Sequence, residues 1–184
     1  MTGSLQKSWS YAKALDKSLN NIRIVTGSSA DEMEKFAKQA NKAASSLGTS
    51  TKDYTDASLI YYQQGLNTQE VIDRTNTTIQ MANVLGSSAK EVSSYMTAIW
   101  NNFAEGSENL TYFADVITAL GAATASSAEE IAGGMEKFAS IGQTVGLSYE
   151  YAASALATIV AATRQSEDTV GTALKTLFAR IQDL

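Results

Sequence analysis

The chain has 184 residues, 44% of them hydrophobic and 18% charged, with a net charge of −5 and no proline, cysteine or histidine. The missing cysteine and histidine exclude disulfides, thiolate chemistry and zinc sites of the usual kind, and the acidic balance argues against nucleic acid as a tightly held partner, because neutralising phosphates needs clustered Lys and Arg. A proline-free chain suits long helices, and since much of its apolar share is alanine, the core must come from close helix contact rather than bulk.

The pattern is helical throughout. In residues 1–25, Leu5, Trp9, Ala12, Leu15, Leu19 and Ile22 repeat at three and four residues, and the seven-residue intervals among them also fit the end of a coiled coil. Lys7, Lys13, Lys17 and Arg23 make this segment basic, which suits either a solvated face or an acidic partner. The opening residues lack the apolar core of a secretory signal.

Residues 26–184 read as one helical domain, restarted by a recurring signal. Gly27 ends the first helix, and Ser29 with Glu32 predicts a capping box, in which two side chains satisfy two free amides reciprocally. Met33, Phe36, Ala40, Ala43 or Ala44, and Leu47 follow as a stripe, and Gly48 closes it. Ser50 or Thr51 opens the next helix, with Tyr54, Ala57 and Tyr61 on one side and Leu59, Ile60 and Tyr62 on others, as a helix buried against several neighbours would have. Asn67 or Thr68 caps a helix with Ile72, Thr75, Ile79 and Ala82 inward, ended by Gly86.

Ser88 with Glu91 repeats the box, followed by Val92, Tyr95, Ile99 and Phe103, and Gly106. Ser107 opens a helix with Leu110, Phe113, Ile117 and Leu120 inward, ended at Gly121. Ser127 with Glu130 is the third box, then Ile131, Met135, Phe138 and Ile141, with "GQTVG" at 142–146 as a loop. Ser148 precedes Tyr149, Ala153, Leu156, Val160 and Thr163, and Ser166 precedes Val170, Leu174, Leu177, Phe178 and Ile181. The most apolar run, "AASALATIVAA" at 152–162, is far short of the ~20 residues that span a bilayer. The expectation is all-α, with about nine helices packed as antiparallel hairpins and no sheet. Its core is expected to include Trp100, Phe103, Phe113, Met135, Phe138, Leu156 and Phe178.

Gly133 and Gly134 interrupt a helix, where two glycines cost ~2 kcal/mol against alanine. Two readings account for that cost: a neighbouring helix lying on the glycine face, or a hinge. No catalytic, metal or cofactor residues emerge. The acidic pairs Asp31–Glu32, Glu129–Glu130 and Glu167–Asp168 all follow caps, where carboxylates suit the helix dipole. Physical chemistry alone therefore ends at a non-catalytic helical module.

Three stretches say more: residues 58–107 with "MTAIWNNFAEGS", residues 110–159 with "GAATASSAEEIAGGMEKFA", and residues 163–182 with "TLFARIQ". They resemble, in order, the core domain of phage tail tape measure proteins, closely from about residue 55 to 184 and more loosely from about residue 20. The resemblance implies a structural tail component that fills the tail lumen during assembly while tube protein polymerises around it. The length of such a protein sets tail length, and it leaves ahead of the genome at ejection. Implied partners are tail tube and tail tip proteins, assembly chaperones and further copies of itself, as trimer or hexamer. The implied location is the virion tail, with the host cytoplasm during assembly. No catalytic residues carry over. Family members are several times longer, so the chain is expected to be a piece of one, and the opening Met-Thr-Gly-Ser is expected to include added residues. The competing reading is a non-catalytic adaptor or effector-type module that binds another protein through a groove.

Overall fold

The structure is a computed structural model that describes residues 2–104 and 109–182, with side chains from residue 5 onward. Nine α-helices and no strand occur among the described residues. Gly106 and Ser107, expected to end one helix and start the next, lie outside them. The contacts divide the chain into two units, residues 1–80 and 81–184, with the division between Gln80 and Met81. The sequence had suggested a division after residue 25.

The first unit holds α1 (Thr2–Thr26), α2 (Ala30–Ser46), α3 (Thr51–Gln63) and most of α4 (Thr68–Leu85). Both α1 and α2 pack on α3. Most of the burial lies in the second half of α1: Ser18 and Ile22 are buried, Leu15 and Leu19 half-buried, and Leu5 and Trp9 exposed, while Tyr11 accepts from Lys52 N–H of α3 at 3.4 Å. The stripe of α2 buries Met33, Phe36, Ala40 and Ala44, and Phe36 meets Tyr62 of α3 edge to face at 5.8 Å. Between α3 and α4 the contact is made by hydroxyls. Ser58 Oγ lies 3.2 Å from Thr75 Oγ1, Tyr61 Oη 2.5 Å from Thr78 Oγ1, and Tyr54 donates to Asn76 at 2.9 Å. Burial pushes the Tyr54 phenol up to about 12. On α4 the fully buried apolar residue near the start is Val71 rather than the expected Ile72, which is half-buried.

The second unit holds α5 (Ala89–Phe103), α6 (Leu110–Ala123), α7 (Ala128–Thr144), α8 (Tyr149–Thr163) and α9 (Glu167–Gln182). Helix α7 is its centre, packed against α5, α6, α8 and α9. Residues Ile131 to Met135, with Phe138 and Ala139, are all buried, so α7 is covered on nearly every side. On α5 the buried residues are Val92, Ser93, Met96, Ile99 and Trp100. Tyr95 and Phe103, placed inward from the sequence, are half-buried. Steps of three and four residues define two stripes about one residue apart, and α5 buries Met96 and Trp100 fully while Tyr95, beside Gly133 of α7, and Phe103, against Tyr149, stay half-buried. The Trp100 indole donates to the Leu110 carbonyl at 3.3 Å.

Two further corrections concern helix ends. Helix α6 runs through Gly121 to Ala123, and α7 continues through Gly142 to Thr144, so "GQTVG" is mostly helix. Neither glycine acts as a stop. The glycines that do end helices have positive φ, as at Gly48 (φ 70°), where Thr49 N–H donates to the Ala44 carbonyl at 3.0 Å.

Most of the described helix starts are built from side chains, though α6 begins at Asn109 without a side-chain cap. Ser29 N–H donates to Glu32 Oε2 at 2.8 Å, and Glu32 N–H returns to Ser29 Oγ at 3.3 Å. Ser88 and Glu91 make the same pair at 3.1 and 3.2 Å, and Ser127 and Glu130 at 2.6 and 3.1 Å. Asn67 and Glu70 form a fourth, at 3.0 and 3.1 Å. The Ser29 backbone amide, then its hydroxyl, hold the Glu32 carboxyl below its ordinary value. The Ser88 hydroxyl, then its amide, do so for Glu91.

Two outcomes follow. Ser127→Ala leaves the Glu130 amide without its partner and should cost ~1 kcal/mol, read as a lower urea midpoint. For Glu32 and Glu91 the folded value lies below the ordinary 4.5. Their contribution is therefore present above about pH 4.5 and lost as pH falls through the lowered folded value. Thermal midpoints taken from pH 5 downward should fall less steeply in Glu32→Gln with Glu91→Gln than in the parent chain.

Candidate functional site

The paired glycines of α7 stand where its neighbours come closest. A methyl group added at Gly134 would lie 2.5 Å from Leu156 Cδ2 and 3.1 Å from its Cγ. Leu156, on α8, is fully buried. On α9 a methyl at Gly171 would lie 2.6 Å from the Gly134 carbonyl oxygen and 3.2 Å from Gly134 Cα. Helices α7 and α9 thus cross backbone to backbone at Gly134 and Gly171, with Leu156 closing the crossing from α8. Gly133 is different. Its added methyl would meet the Glu167 side chain at 3.1 Å, and Glu167 is half-buried at the start of α9.

The sequence pointed to Gly133 and Gly134, passed over Gly171 and read Gly121 as a helix end. At Gly121 an added methyl would lie 2.6 Å from the Ala128 amide nitrogen, so the start of α7 rests on α6. Gly121 and Gly171 both lie inside helices, where glycine costs ~1 kcal/mol and so asks for a packing reason. That signal was present in the sequence.

The other residues named from sequence are dispersed. Trp100, Phe113, Met135, Phe138 and Leu156 are buried. Phe103 and Phe178 are half-buried, each against a ring: Phe103 on Tyr149 at 5.5 Å and Phe178 on Phe138 at 5.5 Å. Tyr149 is buried and donates to the Phe113 carbonyl at 2.6 Å, and burial raises its phenol. Tyr112 donates to Glu150, which lowers that carboxyl.

Each acidic pair sits in a helix's first turn. Glu129 accepts from Ser87 Oγ at 2.8 Å, which fastens the segment before α5 to α7. Asp168 is 3.5 Å from Lys137. Among the described residues no cluster of three or more His, Cys, Asp or Glu could hold a metal ion, and no helix is long and apolar enough to cross a membrane. What the arrangement offers is a close crossing of helices.

Three substitutions separate its parts. Gly171→Ala sets a methyl against backbone and should lower the thermal midpoint most, since overpacking costs ~1–3 kcal/mol or more. Gly134→Ala should also lower it, because Leu156 has no solvent to move into. Gly133→Ala should lower it least or raise it, since Glu167 can shift and helix propensity returns ~1 kcal/mol. Calorimetry of the three single variants gives the order.

Comparison with known proteins yields one family. The model for phage-related minor tail proteins matches residues 37–184. That span includes all of the second unit and its glycine crossing. No curated protein and no solved structure matches the chain. With most of its length matched, the chain belongs to the phage-related minor tail protein family.

Proposed function

We propose that the chain is part of a tail tape measure protein. In this role it is a non-catalytic structural segment that occupies the tail lumen during assembly, counts towards tail length and departs before the genome. The observation that carries this reading is the family match over 37–184 together with "GAATASSAEEIAGGMEKFA", whose helical part is the buried centre of the second unit. Tail tube and tip proteins, assembly chaperones and further copies of the chain are the partners. The trimer or hexamer expected within rotationally symmetric rings is part of the proposal.

Its physical basis is the economy of the core. Helices packed through glycine and alanine bury little apolar area per contact, so the module should open at comparatively low cost when it must leave through the tip. The acidic pairs at helix starts supply capping rather than proton transfer. The adaptor reading draws on the apolar groove between α8 and α9, which would suit another protein's helix.

The test is made in a phage or prophage carrying this sequence within its full-length protein. Deleting residues 37–184 in frame should shorten the tails seen by electron microscopy, and duplicating them should lengthen them. As one continuous helix residues 37–184 would reach ~222 Å at ~1.5 Å per residue, which sets the upper bound of the change. Tails of unchanged length would remove the measuring role, and absence of the protein from purified virions would remove the tail role too.

A further inference from the structure

Helix α8 turns into α9 without a glycine. Where another described helix ends on a left-handed residue, that residue is glycine; α8 ends on Arg164, at φ 56° and ψ 22°. A residue with a Cβ is strained in that region. The corner is kept closed by the Arg164 guanidinium, which donates to the Ala125 carbonyl at 2.9 Å, and by Ser166 Oγ, which accepts from the Thr169 amide at 3.3 Å and caps α9. The segment from Ala161 to Thr169 holds neither glycine nor proline. With Arg164 at negative φ, the amides of Gln165 to Thr169 would each meet a carbonyl four residues back. Helices α8 and α9 would then be one helix from Tyr149 to Gln182, ~51 Å long at ~1.5 Å per residue.

Helix α9 is seated mainly by its first half. Val170 and Gly171 are buried, Asp168 stands 3.5 Å from Lys137, and Phe178 lies on Phe138. Leu177 and Ile181, expected inward from the sequence, are 52% and 54% exposed. Lifting α9 away would uncover Gly134 and Phe138 on α7. That surface is shaped to a glycine backbone, since a methyl at Gly171 would already lie 2.6 Å from the Gly134 carbonyl oxygen. A helix with a side chain at this point cannot approach so closely. The seat is therefore complementary to α9, and the α9 of a second copy fits it as well as the chain's own.

We propose that α9 is exchanged between copies of the chain: the corner at Arg164 straightens, and the α9 of one copy takes the seat on α7 of another. Every contact of the seat is re-formed, so the balance is set at the corner. Straightening relieves Arg164 and adds helix, and it gives up the Ala125 bond and the Ser166 cap. Short connections under strain favour exchange of this kind. Exchange within a pair closes a dimer, and passing α9 onward closes a ring. The proposal rests on the self-association in the function proposed above and names the surface that makes it.

The chain has no cysteine, which permits a direct test in solution. A Cβ added at Gly133 would lie 3.1 Å from Glu167 Cγ, within reach of a disulfide, so Gly133→Cys with Glu167→Cys bridges α7 to α9. This variant is unfolded in urea, refolded at high concentration, separated by size and oxidised. On a non-reducing gel the oligomer fraction should be bridged between chains and the monomer fraction within them. Two further variants, each made without the cysteines, are read by sedimentation. Arg164→Gly, which accepts positive φ, should weaken association about tenfold or more, because every exchanged copy carries the hinge. Arg164→Ala, which loses the Ala125 bond and keeps a Cβ, should strengthen it. A chain that stays monomeric, an oligomer whose bridges close within each chain, or glycine and alanine acting alike would each overturn the proposal. The bridge is read without any phage, so its failure leaves the tail-length result standing, and unchanged tail length leaves the bridge standing.

Discussion

The second unit depends on how near α8 and α9 can come to α7. With Gly134 and Gly171 at the crossing, two helix backbones meet without a side chain between them. The rest follows from that approach. Helices α5 and α6 also pack on α7, and its buried run from Ile131 to Met135 needs no polar face. Because the two backbones touch, there is little lateral room, and Leu156 fills what is left. The glycines' cost in helix propensity is offset by contacts that a larger residue would push apart.

The first unit is held differently. Its inner contact between α3 and α4 is a row of hydroxyls, from Ser58 and Thr75 to Tyr61 and Thr78. Such groups are costly when buried unless each finds a partner, and here they find each other. They also fix the register of the two helices, because a shift of one residue would separate every pair. Two small units of one chain thus reach packed cores by opposite means, backbone contact in one and side-chain hydrogen bonds in the other.

Carboxylates concentrate at helix starts, where they accept from backbone amides or a neighbouring hydroxyl. The phenols are either buried donors, like Tyr149, or surface donors to a carboxylate, like Tyr112. What the protein presents outward is apolar helix surface: Leu5 and Trp9 at one place, Leu177 and Ile181 at another.

The sequence by itself determined where helices begin and what kind of fold they make. Ser29, Ser88 and Ser127 announce their helices because a capping box is local: the hydroxyl and the carboxylate lie three residues apart, and no distant residue takes part. The all-α class follows from periodicity, and a phage tail family from motifs that run in order. Tertiary structure decided which of two neighbouring stripes faces inward, as with Met96, fully buried, beside Tyr95, which is only half-buried. It decided that Gly121 and Gly142 continue helices while Gly48 ends one, since a glycine reads alike in sequence whether it frees a turn or admits a neighbour. It also left Leu177 and Ile181 uncovered although their spacing matches that of a core stripe. Periodicity shows that a face is apolar, and only the presence or absence of another helix against it settles whether that face is buried.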